Sequence, residues 1–212
     1  MQLTAGAKVL FVGDSITDAG RSHPVGEAPG GLGNGYVSLI DAMLQVRHPE
    51  LGLRVVNQGS SGHTIRDLAD RWQRDVLDPQ PEWVSLMIGV NDVWRQFDHP
   101  FRPELHVRRD EYTSTLNQLV KATLPHVKGL VLVTPFFMEP SRNDAMRLMV
   151  DSYGDIVREV AQARGAVLVD AQAAVDRLLT FRYSAYLGWD RVHPNHVGTF
   201  AVAEAWYQAL NA

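Results

Sequence analysis

Short, unbroken apolar runs alternate with helical patterns along the chain, and this alternation restricts its fold more than any other feature. The run Lys8–Val12 (KVLFV) stops at Gly13 and has the length of a strand buried on both faces. Four similar runs follow, at Leu53–Asn57, Trp83–Ile88, Gly129–Thr134 and Ala166–Val169. Apolar residues three and four apart predict helices over Tyr36–Val46, Thr64–Val76 (with Thr64 as N-cap), Arg109–Leu124 and Asp144–Ala163. Two more are predicted over Ala171–Leu179 and Gly198–Leu210. Strands separated by helices build parallel sheets with right-handed crossovers. The expectation is an α/β chain, doubly wound around five parallel strands.

No linker, repeat or low-complexity segment interrupts the series, so residues 1–212 are read as one domain. There is no cysteine, which excludes disulfides, thiolate metal sites and a cysteine nucleophile. The net charge is −4, only three of the 20 basic residues are lysines, and they form no basic run. Neither nucleic acid nor an anionic membrane is therefore an expected partner. Met1–Lys8 runs straight into the first strand without a charged and then apolar leader, and no apolar stretch nears the roughly 20 residues of a membrane span. A cytoplasmic location is the expectation.

Open α/β sheets bind ligands outside the carboxyl ends of their strands, near the point where strand order reverses. The turns to read are therefore Gly13-Asp14-Ser15-Ile16, Gln58–Gly62, Gly89-Val90-Asn91-Asp92 and Pro135-Phe136-Phe137. Three of the four carry small or amide residues able to aim hydrogen-bond donors at an oxygen. Ser15 at a strand-to-helix turn is either an exposed hydroxyl nucleophile or a helix N-cap. The chain has neither a phosphate-binding G-x-x-x-x-G-K-[ST] loop nor a G-x-S-x-G elbow there. Gly26–Gly35 follows no strand and is expected to be a mobile loop beside the site.

A serine nucleophile needs a base. Of eight histidines, only His193 has a carboxylate at a useful fixed spacing, in Asp190-Arg191-Val192-His193-Pro194. One tight turn can bring Asp190 to the imidazole Nδ1–H and leave Nε2 free to take a serine proton. A rival reading takes Asp190, His193 and His196, with Asp14, as ligands of a divalent metal in a metal-dependent hydrolase. A third treats the chain as a catalytically silent carbohydrate-binding module.

Taken together, Gly13-Asp14-Ser15, Asn57–Gly62, Gly89-Val90-Asn91-Asp92 and Asp190–Pro194 resemble, in order, the sequence blocks of the SGNH hydrolases of the GDSL type. The one departure is Ile16, where the family name has leucine. The resemblance implies a flavodoxin-like three-layer α/β/α sandwich with a five-stranded parallel sheet. It implies Ser15 as nucleophile, His193 as base and then acid, and Asp190 as orienting carboxylate. It further implies an oxyanion hole from the Ser15 and Gly62 N–H groups and the Asn91 side-chain amide, and it calls for no cofactor or metal. Asp14 and Asp92 are read as structural turn carboxylates.

The stretches Val90–Gln96 and Ala185–Pro194 resemble the acetylxylan and acetyl-xylo-oligosaccharide esterase branch, as do Val55-Val56-Asn57 and Arg66-Asp67-Leu68. That likeness implies a serine esterase acting on acetylated oligosaccharides, and a homo-oligomer. Trp94 and Trp189 flank the site blocks and are candidate substrate contacts. The alternative is a short-chain ester or thioester hydrolase, with Phe136-Phe137-Met138 supplying an apolar acyl surface.

Overall fold

The computed structural model describes residues 3–211, so Met1, Gln2 and Ala212 of the expected domain lie outside it. Its sheet has six strands: β1 (Lys8–Gly13), β2 (Gly26–Glu27), β3 (Arg54–Gly59), β4 (Trp83–Met87), β5 (Gly129–Val133) and β6 (Val167–Val169). They lie in the order β2-β3-β1-β4-β5-β6. All five expected strands are present and pair in parallel. The sixth, β2, is a correction to the five-stranded expectation. It adds antiparallel to β3, with Gly26 opposite Asn57 and Glu27 opposite Val56. The segment read as a mobile loop is thus partly sheet, and Asn57 Nδ2 also holds the carbonyl of Leu32 at 2.9 Å.

The helices are α1 (Ser15–Asp18), α2 (Tyr36–Arg47), α3 (Ile65–Trp72), α4 (Val90–Asp98), α5 (Arg109–Thr123), α6 (Ala145–Arg164), α7 (Ala171–Leu179), α8 (Ser184–Leu187) and α9 (His196–Ala209). Their starts follow from local chemistry. Asp144 accepts the Arg147 N–H at the head of α6, Asp170 the Ala173 N–H at α7, and Asn195 the Val197 and Gly198 N–H groups at α9. Before α3, the Asp67 carboxylate takes both the N–H and the hydroxyl of Thr64, each at 2.7 Å. Helix α6 ends on Gly165 in the left-handed region.

The strands explain the layers. In β1, Val9 through Val12 are all buried, as a strand covered on both faces requires. Phe11 packs on Trp206 of α9 and Tyr36 of α2, with ring centroids 5.1 and 6.0 Å away. The Trp206 indole N–H donates to Ser85 Oγ of β4 at 3.0 Å, so even this buried polar atom is satisfied. Helices α2, α9 and α7 lie side by side in one layer, and α3, α5 and α6 in the other.

The parallel strands alone run β3-β1-β4-β5-β6, the flavodoxin-like order, which reverses between β1 and β4. Ser15 follows β1 and Asn91 follows β4, so both stand at that reversal. Phe136, Phe137 and Met138 after β5 are buried in the core. They present no apolar surface to an acyl chain, which removes the support for the short-chain hydrolase reading.

Candidate active site

Ser15 is the first residue of α1, directly after Asp14, whose Oδ1 accepts the Ile16 N–H at 3.0 Å. The helix cap is therefore Asp14, and the Ser15 hydroxyl is free to face outward. Its Oγ lies 2.7 Å from His193 Nε2, although 178 residues separate the two in sequence. His193 Nδ1 lies 2.6 Å from Asp190 Oδ2. An ionised carboxylate only accepts, so Nδ1 carries the proton and Nε2 accepts from the serine hydroxyl. The other Asp190 oxygen, Oδ1, takes the backbone N–H groups of Val192 at 2.9 Å and His193 at 2.8 Å. Partial burial would raise the Asp190 pKa, but the imidazole and these two N–H groups outweigh it and hold the carboxyl below its usual range.

Two of the three expected oxyanion donors are backbone N–H groups without a protein partner among the described residues. Ser15 stands at the first position of its helix, where the backbone N–H has no intrahelical partner, and among the described residues it donates to no protein acceptor. The same holds for the Gly62 N–H. Gly62 sits at φ 81°, a left-handed conformation that glycine adopts without strain, and its neighbour Ser61 is pinned by N–H and hydroxyl bonds to Asp18 Oδ2. Asn91, buried near the start of α4, donates from Nδ2 to the His63 carbonyl at 2.9 Å. That bond fixes the amide and leaves its second N–H for an oxyanion.

Two clefts open beside this centre. One, of about 200 Å³, is lined by Ser15, Ile16, Ala19, Asn34, Gly35, His193, Pro194 and Thr199. The other, of about 320 Å³, is lined by Trp94, Phe97, Asp98, Asp144, Ala145, Met146 and Arg191. Trp94 belongs to the site, its ring centroid 6.1 Å from that of His193. Trp189 is 90% exposed and lines neither cleft.

The metal reading loses its ligands to other bonds. Asp190 and His193 are spent on each other, Asp14 is buried beneath Ser15, and His196 is exposed at the head of α9. Among the described residues no three His, Asp or Glu side chains are grouped to hold a metal ion. Asp92, like Asp14, is structural: its Oδ1 accepts the Ile65 N–H at 2.9 Å, at the head of α3.

Some supporting residues escaped the reading of the sequence. Arg71, buried, reaches the carbonyls of Gly13 and Gln58 and so ties the ends of β1 and β3 together. Asp18 holds the Ser61–Gly62 turn, and Glu139 pairs with Arg191 inside the Asp190–His193 turn. None lies in a motif, and each finds its partner more than 10 residues away.

Residues 11–199 match the GDSL-like lipase/acylhydrolase family. The chain is 50% identical over 211 residues to an acetylxylan esterase from Geobacillus stearothermophilus, covering 99% of this chain and 96% of the relative. The crystal structure of Axe2, an acetylxylan esterase from the same organism, superposes with a TM-score of 0.99 at 49% identity, covering 100% of this chain and 97% of the other. Three further structures of that esterase are catalytic mutants, with a serine, a histidine and an aspartate respectively replaced by alanine. An alpha/beta hydrolase from the metagenome of Lake Arreo, Spain, matches with a TM-score of 0.97 at 51% identity, over 100% of this chain and 98% of the other. With the family match spanning most of its length and a half-identical relative along nearly all of it, the chain belongs to the GDSL-like lipase/acylhydrolase family.

Proposed function

We propose that this protein is a serine esterase that removes acetyl groups from acetylated xylo-oligosaccharides. The observation that carries the chemistry is the unbroken line Ser15 Oγ, His193 Nε2, His193 Nδ1, Asp190 Oδ2, with bonds of 2.7 and 2.6 Å. The substrate class is supported by the relative that shares half of its residues, an acetylxylan esterase.

Ser15 attacks the acetyl carbonyl while His193 takes its proton, and Asp190 stabilises the imidazolium without itself becoming protonated. The oxygen of the tetrahedral intermediate is received by the Ser15 and Gly62 N–H groups and the Asn91 amide. Donors held in place before the reaction cost no reorganisation, and one of them is worth about 2.7–4 kcal/mol of barrier. His193 then protonates the departing sugar oxygen, which leaves as the free hydroxyl; water, deprotonated by His193, next attacks the acetyl carbonyl, and His193 returns the proton to Ser15 Oγ as acetate leaves. Trp94 offers an aromatic face to the sugar. Replacing Ser15 or His193 with alanine is expected to lower kcat on acetylated xylo-oligosaccharides by about a thousandfold or more in folded protein. Near-normal kcat in either variant would reject the triad.

A cytoplasmic location and a homo-oligomer complete this reading. The second is supported by the run of exposed aromatic residues Phe181, Tyr183, Tyr186 and Trp189, an apolar surface that a second copy would cover. Light scattering on the purified chain is expected to give a multiple of 23.6 kDa. A monomer at micromolar concentration would contradict it.

A further inference from the structure

Arg191 lies between the two acidic and basic members of the triad and is one of three non-glycine residues with positive φ, at 63°, among the described residues. Left-handed backbone is strained for a residue with a Cβ, so something must hold Arg191 there. The left-handed step is what turns the backbone so that Asp190 Oδ1 can take both the Val192 and His193 N–H groups while Oδ2 binds the imidazole.

The holding contacts come from the segment after β5. The Met138 N–H donates to the Arg191 carbonyl at 2.8 Å. The Arg191 guanidinium donates to Glu139 Oε2 at 2.7 Å and lies over the Phe137 ring, 5.0 Å from its centroid. Glu139 is mostly shielded from water, and its other oxygen accepts the Ser141 N–H at 2.9 Å. This segment is itself anchored. Gln172 bonds both the N–H and the carbonyl of Phe137, and the buried Arg147 donates to the Glu139 carbonyl at 2.6 Å while pairing with Asp151 and Asp176.

We propose that Glu139 and Arg191 form a clamp that positions the Asp190–His193 turn for catalysis, with Glu139 acting only through the left-handed backbone of Arg191. Both are positioning residues. The inference rests on the triad assignment above, and its test separates the two.

The substrate is 4-nitrophenyl acetate, which has no sugar, so any contact between Arg191 and a sugar in the Trp94 cleft is silent. Glu139→Gln keeps the Ser141 bond and the side-chain shape but removes the charge. It is expected to lower kcat about tenfold with KM within about twofold, the signature of a displaced base. In the Arg191→Gly background, where glycine takes the left-handed backbone without strain, the same Glu139→Gln change is expected to cost less than about twofold. Equal losses in both backgrounds, or kcat within twofold of the parent in Glu139→Gln, would overturn the clamp. Labelling of the parent with a serine-directed organophosphonate checks the triad separately. Failure to label Ser15 would bring down the assignment and the clamp with it, whereas labelling beside an unaffected Glu139→Gln variant would bring down the clamp alone.

Discussion

Beneath the reactive serine the fold buries two carboxyl groups that the triad does not use. Burial pushes the Asp14 pKa up to about 6, against the pull of the Ile16 N–H and of His193, and pushes Asp92 up to about 7, against the Ile65 N–H. Asp92 Oδ2 has no protein partner at all among the described residues. A raised folded pKa means that the folded chain holds its proton more tightly than the unfolded one. Stability from this source is therefore complete below the unfolded value near 3.8 and is lost as pH rises through about 6. For Asp14 the gap corresponds to about 3 kcal/mol at most. Asparagine at 14 keeps an oxygen for the Ile16 N–H and cannot ionise. The stability difference between Asp14→Asn and the parent, measured by urea unfolding, is expected to shift in favour of the variant by up to about 3 kcal/mol between pH 4 and pH 7.5. A difference that does not change with pH would show that Asp14 carries no such cost. At this scale the triad was legible because Asp190 and His193 stand three residues apart, Ser15 follows a strand, and the blocks that carry them resemble those of a known hydrolase family. The residues that hold it were not. Arg191 meets Glu139 across 52 residues, Ser61 meets Asp18 across 43 and Arg71 meets Gly13 across 58, and no local pattern encodes such pairs.

Among the elements, those with clear apolar runs or spacing could be read, α3 included, whereas β2, α1, α4 and α8 could not. The strands of the parallel sheet and helices α2, α5, α6, α7 and α9 fall within a few residues of where apolar spacing puts them. Strand β2 is two residues long and contains a glycine, too short to show any alternation. It exists because β3 offers an edge and because Arg21 braces it, donating from Nε to the Gly59 carbonyl at 2.6 Å and from Nη1 to the Pro24 carbonyl at 2.9 Å. Helix α4 begins on the turn that carries Asn91 and runs only nine residues, Val90–Asp98. Its start requires Gly89 at φ 132°, a backbone conformation open to glycine, with Pro135 and the Tyr112 hydroxyl 3.1 Å from where a Cβ would sit. That helix matters for the site, since it carries Asn91, bonded to the His63 carbonyl, and places Trp94 beside His193 one turn later. The two tryptophans, alike in sequence context, part company here. Trp94 is packed partly against the core from a helix, whereas Trp189 stands in an open turn after α8.

At the scale of the whole molecule, the ester it can accept is set by what borders the reacting serine. The layers on either side of the sheet close over the core completely, and the apolar Phe136, Phe137 and Met138 that follow β5 are part of it. Beside the reacting serine lie two clefts. Both have mixed walls, with Asn34 and Thr199 beside Ile16, Ala19 and Pro194 in one, and Asp98, Asp144 and Arg191 beside Trp94, Phe97 and Met146 in the other. A methylene buried against apolar atoms gains about 0.8 kcal/mol, which is how a long acyl chain drives binding in an apolar channel. Where a wall group such as Asn34, Thr199, Asp98 or Asp144 is covered by alkyl without a replacement hydrogen bond, about 1–3 kcal/mol is lost and that gain is offset. An acetyl group avoids the penalty by being small. Along a series of 4-nitrophenyl esters, kcat/KM is therefore expected to be highest for acetate and to fall by about tenfold or more, at least ~1.4 kcal/mol of barrier, by octanoate. A rate that climbs with chain length would mean that the apolar part of these walls outweighs their polar groups, and the assignment to acetyl esters would fail.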